Sequence, residues 1–101
     1  MEIINELVTP FNGDKEIDFD VFNKLIEKSQ ALDNTYQLIF SLIGDGPLLT
    51  LNEKISLVKS IKLEHIDKVI YYFQLENEEI NNKTIHFLNN TEIKYIMLCP
   101  Q

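Results

Sequence analysis

Apolar positions along this chain gather into four short continuous runs, roughly thirty residues apart. They begin near Leu7 (ELVTPF), Leu38 (YQLIFSLIG), Val69 (KVIYYFQL) and Ile96 (KYIMLCPQ). The polar stretches between them carry helical spacing. Phe19, Phe22, Leu25, Ile26, Ser29 and Leu32 recur at threes and fours, which predicts a core-facing helix over 18–32. Asp18 is its expected N-cap, Asp20 adds first-turn negative charge, and Asp33-Asn34 stops it with turn chemistry. Thr50 and Glu53 form a capping-box pattern ahead of Ile55, Val58 and Ile61, with His65 expected near that helix's end. A third helix is expected from Asn77, with Glu78 and Glu79 in its first turn. Ile80, Thr84, Phe87 and Leu88 form its stripe, and Asn89-Asn90 closes it.

The runs Leu38-Ile39-Phe40 and Val69-Ile70-Tyr71-Tyr72-Phe73 are apolar on both faces. Strands covered by helices on both sides, or barrel strands packed inside and out, read this way. The cadence is therefore α/β: three βα units plus a fourth parallel strand in a single domain over 1–101, with right-handed crossovers. In such sheets the functional groups sit at the carboxyl ends of the strands. No linker or low-complexity tract divides the chain.

Composition narrows the function classes. The 101 residues carry a net charge of −7, with no Arg and no Trp. That balance excludes nucleic acid and anionic membrane surfaces as partners, since both need a positive face. It also removes the usual bidentate clamp for carboxylate or phosphate. The apolar stretch Leu38–Ile43 is too short to span a bilayer, and the acidic MEIINEL start lacks the cations of a signal peptide. One cysteine, Cys99, leaves no intrachain disulfide and fits a reducing cytoplasm.

Few side chains stand out chemically. Asp45, in the turn Gly44-Asp45-Gly46-Pro47, either faces a pocket or bonds its own backbone. Thr9 either lines a pocket mouth or serves the local structure before Pro10. Ser41 needs a base beside it to be a nucleophile, and no His falls on a strand end. His65 and His86 fall on helices without ligand spacing, and Glu76, Glu78 and Glu79 read as helix-start acids. Tyr71 and Tyr72 are strand formers first, and Cys99 reads as a buried strand thiol. No metal, P-loop or dinucleotide fingerprint appears, so no cofactor or metal is expected.

Two stretches go beyond generic patterning: LVTPFNGDKEIDFDVFNKLIEKSQ (7–30) and SLIGDGPLLTLNEKISLVKSI (41–61). Thr9-Pro10-Phe11, Gly13, Ile17-Asp18, Gly44, Pro47, Leu49-Thr50 and Glu53-Lys54 stand in register with one family's N-terminal motifs. The chain resembles the N-terminal part of the dihydrodipicolinate synthase/N-acetylneuraminate lyase family, Schiff-base aldolases on a (β/α)8 barrel. Met97-Leu98-Cys99-Pro100 resembles the family's fourth-strand end.

The resemblance implies a partial (β/α)8 (TIM) barrel, with Thr9, Ser41, Gly44 and Asp45 at substrate-binding loop positions. It also implies losses. Leu42 and Ile43 stand where the family has two hydroxyl residues that hold the substrate carboxylate, and Asp45 replaces a glutamate. Tyr72 and Phe73 replace glycines and are expected to fill substrate space. Gln101 stands where the first of two tyrosines belongs. The Schiff-base lysine comes from a later strand in the family. Lys68 and Lys94 precede strands, Lys15 is in the first loop, and Lys24, Lys28, Lys54, Lys59, Lys62 and Lys83 fall on helices. No residue is assigned as catalytic. The expectation is a chain inactive alone, with a structural or regulatory role. The alternatives are a subunit of an assembled pyruvate-dependent lyase and a small-molecule-binding module, pyruvate-like small molecules being the ligand class. Three and a half units cannot close a barrel. Open edges thus point to a homo-oligomer or to a chain supplying the remaining strands.

Overall fold

The computed structural model describes residues 1–99. Pro100 and Gln101, and with them the comparison to the family's tyrosine pair, lie outside the described residues. The elements are β1 (Ile3–Glu6), α1 (Phe19–Gln30), β2 (Thr35–Ile39), α2 (Leu51–Ser60), α3 (Leu63–Ile66), β3 (Val69–Gln74), α4 (Glu78–Asn89) and β4 (Tyr95–Cys99). The strands form one sheet in the order β1-β2-β3-β4, parallel throughout. β1 and β4 are its two edges.

Local signals account for the helix starts. The Asp18 side chain accepts from the Val21 N–H at 3.1 Å, and the Asn77 side chain accepts from the Ile80 N–H at 2.9 Å. Thr50 and Glu53 close a full capping box: Glu53 N–H donates to Thr50 Oγ1 at 3.1 Å, and Thr50 N–H to Glu53 Oε1 at 2.8 Å. Three boundaries differ from the pattern. The first strand is Ile3–Glu6 and not the Leu7 run, because Leu7 only continues the ladder (N–H to Leu38 O, 2.9 Å) before the chain turns away. The first helix ends at Gln30, and Leu32 is exposed beyond it. The second helix ends at Ser60, so His65 belongs to the separate short α3.

The main core cluster fills the helix side of the sheet. Gln37, Ile39, Val69, Tyr71 and Phe73 face the helices and pack with Phe22, Ile26, Leu57, Val58 and Leu88. The opposite face carries Ile4, Tyr36, Ile70 and Tyr95, which with Glu2 line an open depression of about 350 Å³. Among the described residues, the helices therefore cover one face of the sheet only. Gln37, fully buried in an apolar run, is satisfied by donating to Ser29 Oγ (3.1 Å) and the Thr35 carbonyl (2.9 Å) and accepting from Gln30 Nε2 (2.7 Å). Gln30 Oε1 also accepts from His65 Nδ1–H at 2.8 Å, and Gln30 Nε2 donates to the His65 carbonyl at 2.7 Å, so His65 is a packing residue.

Candidate functional site: the strand ends

The carboxyl ends of the strands are shaped by a severe turn after β2. Phe40 adopts φ 67°, the left-handed region that a bulky aromatic rarely enters, and Asp45 adopts φ 60°. Phe40 is held there by burial and by an edge-to-face contact with Tyr71, ring centroids 5.4 Å apart. The two glycines then let the loop fold back on itself. A Cβ on Gly46 would lie 1.6 Å from the Phe40 carbonyl oxygen, and one on Gly44 would lie 2.6 Å from the Leu7 carbonyl oxygen. This is a physical reason for the Gly-Asp-Gly spacing.

The four sequence-predicted positions meet here, in different roles. Thr9 is buried and donates its hydroxyl to the Gly44 carbonyl, tying the first loop to the second. Gly44 is a packing position. Ser41 is buried and donates to Glu6 Oε2 at 3.4 Å, a weak bond to a carboxylate with no histidine near it. Asp45 is half-buried and its side chain caps nothing, although the turn chemistry pointed to a bond with its own backbone. Both hydroxyls are thus already engaged within the protein.

Three further groups face the same mouth. Tyr72 is hydrogen-bonded to Cys99. That bond, with burial and the nearby Cys99 and Glu6 charges, holds the phenol above its usual range. Glu6, Ser41, Tyr72 and Cys99 thus bring one side chain from each strand end to a common region. The sequence hid this cluster because Glu6 lies at the polar edge of an apolar run, and Cys99 reads as an ordinary strand residue. Phe73 corrects an expectation: it points into the helix-side core, so of the Tyr72-Phe73 pair only Tyr72 reaches the mouth. Successive strand residues alternate faces, and the register decides which one enters.

Lys54 needs a second correction. It is more than a surface decoration of α2, because its ammonium lies 6.0 Å from the Phe40 ring centroid and the side chain is half-buried. Burial pushes its pKa down, opposed by the Glu76 carboxylate. It approaches from the helix side, and Phe40 stands between it and the sheet. Leu42 and Ile43 are 74% and 59% exposed at the lip. Among the described residues no cluster of three or more His, Cys, Asp or Glu is placed to hold a metal. Among them, too, no helix is long and apolar enough to cross a membrane.

No protein-family model matches the chain. Among curated proteins, 4-hydroxy-tetrahydrodipicolinate synthase of Lacticaseibacillus casei is 38% identical over 56 residues, 55% of this chain and 19% of that protein. Among solved structures, a variant of 2-keto-3-deoxygluconate aldolase from Sulfolobus solfataricus superposes with TM-score 0.83 at 23% identity, over 99% of this chain and 34% of its own. N-acetylneuraminate lyase of Proteus mirabilis gives TM-score 0.82 at 15% identity, over 96% and 34%. Dihydrodipicolinate synthase of Rhodopseudomonas palustris gives 0.81 at 14%, over 96% and 33%. The chain spans about a third of the length of these structures. Its fold is that of a segment of their barrel, and the sequence match points to the family that the Thr9-Pro10-Phe11 and Gly44 motifs resemble.

Proposed function

We propose, with kinship to the dihydrodipicolinate synthase/N-acetylneuraminate lyase family as the premise, that these 101 residues perform no Schiff-base chemistry alone and have a structural or regulatory role. The observation that carries this reading is the placement of the amines. A Schiff-base lysine must stand at a strand's carboxyl end, facing the substrate and partly neutral. Lys68 and Lys94 lie just ahead of β3 and β4, at the opposite end. Lys24, Lys28, Lys54, Lys59 and Lys83 are on helices, Lys62 caps one, and Lys15 is exposed in the first loop. The exposed Leu42 and Ile43, and hydroxyls already bonded to Gly44 and Glu6, add to the case against an oxo-acid site. A cytosolic setting is part of this reading, supported by the lone cysteine.

The test is borohydride reduction of the purified chain in the presence of pyruvate, read by intact-mass spectrometry. The expected result is an unmodified mass. A pyruvyl adduct on the isolated chain refutes the reading, and its position follows from peptide mapping, with Lys54→Gln as the control for the half-buried amine. A second reading, a subunit of an assembled pyruvate-dependent lyase, draws on the match to 4-hydroxy-tetrahydrodipicolinate synthase. It calls for an adduct that appears only when a partner chain is added.

A further inference from the structure

We infer that the groove between α2 and α4 binds a medium-chain acyl carboxylate. α2 turns Leu57 and Val58 into the core, and α4 turns Thr84 and Leu88 the same way. The residues beside them leave an open groove of about 690 Å³ between the two helices. Small-molecule sites usually hold roughly 300–1,000 Å³. α2 and α4 belong to consecutive βα units, so both walls lie within the described residues. The groove is separate from the strand ends, since Thr9, Ser41, Gly44 and Asp45 line none of it.

Its floor is Leu51 and Ile55 of α2 and Phe87 of α4, each half-buried. Its rim is cationic. Leu51, Ile55 and Lys59 follow one another at single-turn spacing, so the apolar row of α2 ends on an ammonium. Lys83 and His86 stand on the facing wall. The chain has 16 acidic residues against 9 lysines, yet no Asp or Glu lines this groove. A strip of positive charge over an apolar floor, on an otherwise acidic protein, suits a ligand with an apolar body and an anionic end. Lys83 is already paired with Glu79 at 3.1 Å. Lys59 and His86 pair with no carboxylate among the described residues, which leaves one donor on each wall for the ligand's head. The His86 ring donates an N–H in its neutral form as well as its charged one.

The direction of the ligand follows from what adjoins the groove. Beyond Lys59 lies a smaller hollow of about 280 Å³ that carries the Glu92 carboxylate. That charge repels an anionic head, so the head stays at Lys59 and His86. The tail then runs back over Phe87 and Ile55 to Leu51. Eight residues of helix separate Lys59 from Leu51, about 12 Å and close to the length of an extended ten-carbon acyl chain. A floor of three side chains falls well short of the about 800 Å² that each partner buries in a stable protein interface. The occupant is therefore a small molecule and not a second chain.

Isothermal titration of the 101-residue chain with decanoate tests the site, with decyltrimethylammonium as the cationic counterpart. Saturable one-to-one binding of decanoate is expected, and at least tenfold weaker binding of the ammonium. Each CH₂ removed from the acid, down to hexanoate, should weaken binding about twofold to fourfold. Lys59→Gln/His86→Gln changes two exposed positions and should weaken decanoate binding about fivefold to tenfold. Lys24→Gln/Lys28→Gln removes two cations from α1, away from the groove, and should leave the affinity unchanged. Absence of saturation, equal binding of the ammonium, or an equal loss in the α1 control overturns the proposal. Should the groove variant lose its helical circular dichroism, the parent chain locates the site instead. Decanoate is then expected to move the amide chemical shifts of Ile55, Lys59, His86 and Phe87 and to leave those of α1 in place. Shifts spread evenly over the chain would overturn the assignment. A pyruvate adduct on the isolated chain would sink the proposed function and leave this site standing.

Discussion

Replacing Gly46 by alanine puts a methyl group where the loop after β2 has no room for one. The added Cβ would sit 1.6 Å from the Phe40 oxygen and 2.5 Å from its carbonyl carbon. Both are backbone atoms of a residue already in the left-handed region, so no side chain can swing aside. Ordinary contact begins near 3.4 Å, so the two segments must separate by about 1.8 Å. Such a shift pulls at three bonds: Gly46 N–H to Ser41 O (3.0 Å), Leu48 N–H to Asp45 O (3.0 Å), and Thr9 Oγ1 to Gly44 O. Each contributes about 0.5–1.5 kcal/mol net, so the expected loss is about 3 kcal/mol. Urea denaturation measures it. With a slope of about 1–1.5 kcal/mol per M for a chain of this size, the midpoint should fall by about 2–3 M. Gly13→Ala is the control, because nothing lies within 4 Å of its Cβ, and it should change stability by less than about 0.5 kcal/mol. If Gly46→Ala were as stable as the parent chain, the tight return of this loop onto Phe40 would be wrong, and the arrangement of Thr9, Ser41 and Asp45 with it.

Two other outcomes follow from the structure. Thr50→Ala removes one half of the capping box and should cost about 1 kcal/mol, a drop of about 4–8 °C in Tm by calorimetry; no change would show the cap to be idle. Burial lowers the pKa of Lys54, whose charged form therefore opposes folding below its ordinary value of 10.5, whereas burial and Glu76 raise that of Tyr71 from 10.0. Stability attributable to Lys54 should thus grow as pH rises toward 10, and above about pH 10 the unfolded chain ionises Tyr71 while the folded chain resists, so stability falls. Urea titrations at several pH values should show Lys54→Met flattening the first limb and Tyr71→Phe softening the second; unchanged profiles would contradict the assigned environments.

The helix starts were legible because caps are local. Asp18, Thr50 and Asn77 bond to groups three residues away, and any chain with those residues offers the same bonds. The strand cadence was legible for the same kind of reason, since continuous apolar runs bounded by turn residues suit a buried parallel ladder. What a side chain does at the strand ends depended on partners far away in the sequence. Ser41 meets Glu6 and Thr9 meets Gly44 only because β1 and β2 lie side by side. Tyr72 reaches the mouth while Phe73 turns into the core because register sets which face each residue takes. Gln37 looks misplaced in its apolar run until α1 folds over it and supplies Ser29 and Gln30. The amino-acid order by itself determined which segments become helix and strand, because those choices are settled within a few residues. Only the tertiary structure decided which polar groups are engaged, which amine is half-buried and which sheet face stays bare. Those outcomes are set by packing between segments about thirty residues apart, and no local pattern encodes such neighbours.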